Sequence, residues 1–375
     1  MGYISKLTLE NFRNYQNTEL NLKTGLTIFH GENGQGKTSL LEAIYFLSIL
    51  RSFRTKNVQN LKRWQQDSFT LSCTLEHENL LADQLKINYG DKRKLEMNGN
   101  AVAKSSEFIR NINAISFTPD DIELVKGSAG GRRQFLDITL SQLSPTYLNH
   151  LQNYNKALKS RNIILKKGNE EPNLEALLKT YDDILINYGS LICLERQKLI
   201  KKLSPKVSNF TEEMFPEAKK LKLLYQASIG KVTENLEMIQ DYFRLKCDDN
   251  RQKDIQRGIT HTGPHRDDIF ILLNGKSLGA FGSEGQCRLA SLVIKMAAAE
   301  QLIEDQGTEN ILLLIDDVLG ELDHSRKEAF LKTIMRGDQI FIACTDIPEF
   351  CKKLNYQLFE IDCGAATKIE PGSTV

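Results

Sequence analysis

An α/β lobe assembled from the two ends of the chain, with a helical insertion between them, is the fold this sequence predicts. Three observations predict it. A glycine-rich octapeptide, Gly31–Thr38, stands between an apolar strand pattern and a helix pattern. An all-apolar run, Ile311–Ile315, ends in Asp316-Asp317 toward the other end of the chain. Between about residues 127 and 255 the apolar spacing is helical. The expected bounds are 1–126 plus 256–375 for the α/β lobe and 127–255 for the insertion.

Taken in order, Lys6–Glu10 alternates as a strand and Leu26–Phe29 is a short apolar strand. A helix is expected from about Lys37 to Leu50, with Leu40, Leu41, Ile44 and Leu47 on one face. Phe69, Leu71, Cys73 and Leu75 keep a period of two, as do Leu85, Ile87 and Tyr89. Asn98-Gly99 reads as a type I′ hairpin turn. Gly127-Ser128-Ala129-Gly130-Gly131 reads as a flexible joint. Ser144-Pro145 is a cap followed by proline at the first helical position. From Leu174 to Ile192 a helical stripe runs for five turns, and Pro205 and Pro216 are expected to break the helical pattern beyond it. Ile269, Ile271 and Leu273 alternate up to Asn274-Gly275. A helix comes after Gln286, another starts near Ser325, and Gln339–Ala343 is a strand.

The 375 residues are 41% hydrophobic and 26% charged, with a net charge of +1, which suits a soluble globular protein. Near-neutral charge excludes a wholly basic nucleic-acid coat but not a local basic patch. The seven cysteines show no C-x-x-C pair, so reduced thiols in a cytoplasmic protein are expected. The opening MGYISKLTLENF alternates and reads as a strand rather than a signal peptide. Apolar runs such as Ile311–Ile315 are too short to span a membrane.

Gly31-Glu32-Asn33-Gly34-Gln35-Gly36-Lys37-Thr38 fits G-x-x-x-x-G-K-[ST] in the required strand-to-helix context. Glycines there let backbone amides wrap phosphates, Lys37 reaches the β- and γ-phosphates, and Thr38 sets its hydroxyl on Mg²⁺. Asp316, at the end of its apolar strand, is the expected Mg²⁺ partner. Asp317 stands where a general base or water-orienting group would. The alternatives are a chance glycine-rich turn and a solvated acidic strand end. Ser283-Glu284-Gly285-Gln286 opens a helix, a place suited to an anion or to an ordinary N-cap serine.

Arg51, Arg54, Lys56, Lys62 and Arg63 lie in a run without acid that also holds Trp64. Such a run suits DNA phosphates or a solvated loop. Lys156, Lys159, Arg161, Lys166 and Lys167 form a second set, more simply a solvated helix face. Arg132 and Arg133 could serve DNA, nucleotide or fold. His265, Arg266, Asp267 and Asp268 invite metal or proton chemistry, though a hydrogen-bonded turn explains them as well. Arg13 could approach the nucleotide or stabilise a sheet edge. With no helix-turn-helix or zinc-finger pattern, shape and backbone contact are favoured over base readout.

Ser283-x-Gly285-Gln286, the phosphate loop and the Asp-Asp strand together resemble the ABC-type ATPases. The resemblance implies that the nucleotide is ATP with Mg²⁺. It also implies that Ser283, Gly285 and Gln286 cap the γ-phosphate on a second copy, so that two heads clamp two ATP molecules. Gly320-Glu321-Leu322-Asp323 matches the D-loop of that class, implied to cross the same seam. Leu9-Glu10-Asn11-Phe12-Arg13-Asn14-Tyr15, the phosphate loop, Thr262-Gly263-Pro264-His265-Arg266-Asp267-Asp268, the Ser283 stretch and Asp316–Asp323 occur in this order. In that order they are similar to the RecF family of bacterial recombination and gap-repair proteins, which resembles an SMC head without the long coiled coil. The likeness spans the chain and is weakest between about 140 and 250.

It implies a P-loop ABC/SMC-like ATPase head and an ATP-dependent homodimer that clamps gapped or junction DNA. It further implies slow, DNA-stimulated hydrolysis that serves as a switch, partnership with RecO and RecR, and the loading of RecA. Departures are Phe53 where histidine is usual in Ser-His-Arg-Thr, no proline before Arg132-Arg133, and Gly320 where serine is usual. Asp317 is one methylene shorter than the glutamate common in related ATPases, which implies slow turnover. Thr345 stands where ABC proteins carry a switch histidine. The rival readings are a nucleotide-gated scaffold and an ABC-type ATPase subunit, neither with a DNA role.

Overall fold

In the computed structural model, residues 2–77, 81–109, 111–214, 220–306, 311–318, 320, 322–335, 337–349 and 351–369 are described. They divide into two compact units. The first comprises Met1–Asp121 with Ala299–Val375, the second Ile122–Ala298.

The first unit holds two six-stranded sheets. One is antiparallel, in the order β2-β1-β4-β5-β6-β7. Its strands are β1 (Gly2–Phe12), β2 (Tyr15–Asn21), β4 (Phe69–His77), β5 (Asp83–Tyr89), β6 (Arg93–Met97) and β7 (Asn100–Ala101). The other runs β15-β14-β3-β13-β12-β8. It is built from β3 (Gly25–His30), β8 (Asn113–Phe117), β12 (Ile311–Asp316), β13 (Gln339–Cys344), β14 (Tyr356–Asp362) and β15 (Ala365–Ile369). All its pairings are parallel except β14 with β15. β12 and β13 are buried along their whole length, as a parallel sheet covered on both faces requires. Asn98 (φ 51°) and Gly99 (φ 79°) form the expected turn.

Helix α1 (Lys37–Ile49) contacts strands of both sheets. It is therefore buried all round, with Thr38 its single residue that is not. The one-faced helix expected from Leu40, Leu41, Ile44 and Leu47 is corrected here, because the helix is an inner layer. Phe12, Phe46 and Phe69 meet edge to face between it and the antiparallel sheet. The short helix α2 (Ser105–Ile109) and α10 (His324–Ile334) complete the described α-helices that lie wholly in this unit.

The second unit contains α3 (Glu123–Lys126), α4 (Ala129–Leu143), α5 (Pro145–Lys167), α6 (Leu174–Met214), α7 (Leu236–Arg257) and α8 (Leu278–Phe281). It also has a small antiparallel sheet, β11-β10-β9, of β9 (Leu221–Gln226), β10 (Asp268–Leu273) and β11 (Lys276–Ser277). Helix α9 (Glu284–Gln306) contains the boundary between the units. Residues 256–298 thus group with the helical unit and not with the α/β lobe. The reason is physical: β10 pairs along its length with β9, and Arg132 grips Asp268 at 2.6 Å.

Ala129–Gly131 opens α4 and is no loose joint. Helix α6 continues through Pro205, its buried stripe of Leu199, Leu203, Val207 and Phe210 outweighing the roughly 3 kcal/mol that an interior proline costs. Pro216 lies outside the described residues. Ser144 caps α5 as expected.

Arg161 is not part of a basic surface. It is fully buried and ion-paired to Asp182 (2.7 Å) and Asp254 (2.8 Å). Removing one partner of such a buried group strands the others without compensation. Arg161→Ala should lower stability by about 3–5 kcal/mol in a denaturant titration. Lys159→Ala, at an exposed position two residues away, should change it by less than about 0.5 kcal/mol.

Candidate nucleotide site

The phosphate loop leaves the carboxyl end of β3, an inner strand, and runs into α1. Asp316 ends β12, two strands away across β13. Both therefore emerge at the carboxyl edge of the parallel strands, where α/β sheets bind ligands. Gly31 (φ 151°) and Gly36 (φ 122°) hold backbone conformations that side chains rarely adopt. A Cβ at Gly31 would lie 2.3 Å from the Ile361 carbonyl oxygen, and one at Gly36 2.5 Å from Asn14 Nδ2. The loop is thus gripped from two sides. Asn14 Nδ2 donates to the Gln35 carbonyl (2.8 Å), Tyr15 Oη to that of Gly36 (3.1 Å), and the Cys363 amide to Gln35 Oε1 (2.8 Å).

Lys37 is only 7% exposed. Its ammonium donates to the carbonyls of Gly31 (2.6 Å) and Glu32 (2.7 Å), both neutral acceptors. No ion pair neutralises it among the described residues. The first turn of α1 holds no acidic side chain and no side chain caps it, so its N-terminal dipole is open to an anion. Thr38 Oγ1 donates to Asp316 Oδ1 at 2.8 Å. Burial pushes the Asp316 carboxyl up to about 6; Asp317 adds to the rise, while Thr38, Arg54 and Lys37 oppose it. Asp317 is exposed and sits at φ 52°, its amide held by the Ala343 carbonyl (3.1 Å). A non-glycine residue in this conformation is uncommon, and such strain clusters at functional sites.

These groups line one cavity of about 1010 Å³, together with Arg13, Asn14, Asn33 and Gly34. Of the basic run, Arg54, Lys62 and Arg63 also line it; Arg51 and Lys56 do not. Arg13 serves the fold as well, chelating buried Glu42 through Nε and Nη2, both at 2.7 Å. Ser52 Oγ donates to the same carboxylate and accepts from the amides of Arg54 and Thr55, both at 2.9 Å, which pins the loop after α1. Phe53 packs edge to face on Tyr45. No spacing in the sequence signals that residues 59, 60 and 62–66 join this cavity. They do so through tertiary pairing, the amide of Arg63 with the Asn11 carbonyl (2.8 Å) and that of Arg13 with the Leu61 carbonyl (2.8 Å).

A buried ammonium without a counter-charge and a helix N-terminus fit a polyphosphate. A hydroxyl and a carboxylate 2.8 Å apart are hard oxygen donors of the kind Mg²⁺ takes. The residues present therefore fit both groups.

Ser283, Gly285 and Gln286 belong to the second unit and do not line the cavity. Ser283 and Gln286 form a reciprocal cap on α9: the Ser283 amide donates to Gln286 Oε1 (3.0 Å) and the Gln286 amide to Ser283 Oγ (3.2 Å). Gly285 is exposed, with nothing within 4 Å of a built Cβ. In the D-loop match, Leu319 and Glu321 lie outside the described residues, and Asp323 caps α10 by accepting from the Arg326 amide (3.0 Å).

The other candidates serve the fold. Arg132 pairs with Asp268, and Arg133 Nη1 donates to the Asp267 carbonyl (2.7 Å). Asp267 is buried and binds Tyr225, Arg196 and the Ser228 amide. Both ring nitrogens of His265 are taken, by Tyr154 Oη (2.6 Å) and the Thr260 carbonyl (3.1 Å), and burial holds its pKa down to about 4.

Fold and site together define a P-loop ATPase head of the ABC/SMC kind. The RecF/RecN/SMC N-terminal domain family matches residues 3–359. A DNA replication and repair protein RecF from Natranaerobius thermophilus is 36% identical over 99% of both chains. One from Clostridium tetani is 37% identical over 96% of this chain and 98% of its own. A solved structure of the recombination mediator protein RecF with ATP in the RecFOR pathway superposes with a TM-score of 0.91, at 32% identity over 98% of each chain. An SMC head domain from Pyrococcus furiosus, at 15% identity and a TM-score of 0.55 over 98% of this chain and 96% of its own, shares the fold. The chain belongs to the RecF family of DNA replication and repair proteins.

The raised pKa of Asp316 has a consequence for stability. Its folded value lies above its unfolded one, so its contribution is present below about pH 4 and lost as pH rises through about 6. Asp316→Asn, which keeps an acceptor for Thr38, should be more stable than the parent at pH 8 by on the order of 2–3 kcal/mol, and so melt higher. The gap should narrow toward pH 4 in thermal melts without nucleotide.

Proposed function

We propose that this chain is an ATP-dependent DNA-binding protein of recombinational gap repair and replication maintenance. It works as a switch: an ATP-bound homodimer clamps gapped or junction DNA, and hydrolysis opens it. The observation that carries the nucleotide half is the buried, unneutralised Lys37 ammonium at the head of α1, facing the Thr38–Asp316 pair. The RecF structures solved with ATP and with ATPrS support the same class of ligand. Membership of the family supports the DNA role and, with it, a place in the cytoplasm and partnership with RecR, RecO and RecA.

In this reading the amides of Gly31–Gly36 and the Lys37 ammonium bind and orient the phosphates. Thr38 and Asp316 hold Mg²⁺, which supplies charge neutralisation at the phosphate oxygens. Asp317 orients the attacking water. Its short side chain gives slow turnover, and family membership supports stimulation by DNA. Ser283 reaches a second copy. In the cap on α9 its hydroxyl only accepts, so its proton stays available for a phosphate oxygen bound by the partner. Exposed Gly285 leaves room for that approach. Arg51, Arg54, Lys56, Lys62 and Arg63 remain the proposed DNA contacts, with Arg51 and Lys56 the two that lie off the nucleotide cavity.

Two variants test this. Lys37→Ala should weaken ATP binding in calorimetry by about 100-fold or more, since it removes a charge-assisted contact in a buried site. Ser283→Arg should bind ATP as the parent does, yet lose ATP-dependent retention of gapped DNA, because a bulky cation blocks the seam. A Ser283→Arg protein that cannot bind ATP would show that Ser283 acts on its own chain's nucleotide.

A further inference from the structure

We propose that the turn Arg63–Gln66 forms the base end of the nucleotide cavity, with Trp64 as the surface on which the base of a nucleoside triphosphate stacks. The inference rests on the nucleotide reading above. The lining falls into two chemical groups. Gly34, Gly36, Lys37 and Thr38, with the two aspartates, suit phosphates and a cation. Asn60, Lys62, Arg63, Trp64 and Gln65 bring amides, cations and an aromatic face, with no acid. A triphosphate arm has no use for an indole; a flat base has.

Trp64 is the chain's single tryptophan and is 85% exposed. Isolated exposed apolar residues are common, but this one borders a cavity and stands on an anchored turn. Lys62 bridges Phe12 in antiparallel fashion. The Arg63 amide binds the Asn11 carbonyl (2.8 Å), and Arg13 Nη1 holds the Asn60 carbonyl (2.7 Å). The Gln66 amide closes the turn onto the Arg63 carbonyl (3.1 Å), and Gln65 sits at φ 62°. The backbone that carries the ring is fixed, so only the side chain itself remains to be ordered on binding. The side-chain amides of Asn60 and Gln65 add donors and acceptors for base edges.

The test uses the full chain, ATP and inorganic tripolyphosphate, with calorimetry and tryptophan emission. ATP should change the emission and tripolyphosphate should leave it unchanged. Trp64→Ala should weaken ATP by roughly 5- to 150-fold while leaving tripolyphosphate unaffected, and Trp64→Tyr should restore most of the loss. The proposal is overturned if Trp64→Ala binds ATP as tightly as the parent does. It is also overturned if gapped DNA, and not ATP, moves the emission; the turn then serves nucleic acid and the nucleotide reading still stands. If the parent binds neither ATP nor tripolyphosphate, the nucleotide reading itself fails, and this proposal with it.

Discussion

The buried ammonium of Lys37 is the constraint around which the first unit is built. It lies at the cavity wall against two carbonyls of its own loop, with a helix N-terminus beside it and, among the described residues, no carboxylate in ion-pair contact with it. A buried cation without a partner is costly unless an anion completes the site. Everything near it keeps that loop from collapsing onto a cheaper arrangement. Asn14 holds it from the β1–β2 turn and Tyr15 from the start of β2, Ile361 and Cys363 from β14 and the turn beyond, and the parallel sheet fixes where it begins. The site is stable in outline and incomplete in charge, which is the condition for a ligand-driven switch.

Asp316 answers the same logic with the opposite sign. Its carboxyl is buried at the end of an all-apolar strand and is held well above the ordinary carboxylate range. A cation at the Thr38–Asp316 pair would restore the charged form. A negative polyphosphate beside Lys37 and a divalent cation beside Asp316 are therefore mutually supporting. Each would relieve a cost that the folded chain maintains, and the cation would also offset the charge of the phosphates.

Much of this was legible in the sequence, and the reason is locality. The phosphate loop needs eight consecutive residues, and the acidic strand seven, so their chemistry is written in order. The Ser283–Gln286 cap is local as well, and both its readings were visible. What stayed hidden depends on partners distant in the chain. Arg161 looked like one cation of a basic helix face, yet Asp182 and Asp254, 21 and 93 residues away, bury it. The basic run after α1 reads as a loop for DNA phosphates or as a solvated loop, but pairing with the β1–β2 turn carries Lys62, Arg63 and Trp64 to the nucleotide cavity. Helix α1 showed one apolar face because its polar residues have tertiary partners, Glu42 with Arg13 above all. The edge of the helical unit was misplaced because β10 takes its strand partner, β9, from that unit.

The account's central claim is that ATP joins two copies of this chain. The most direct measurement is the mass of the purified protein by light scattering, without nucleotide, with ADP and with ATP, at a concentration where calorimetry gives saturation. The account predicts a monomer in the first two conditions and a dimer only with ATP. A protein that is saturated with ATP and remains monomeric would contradict it.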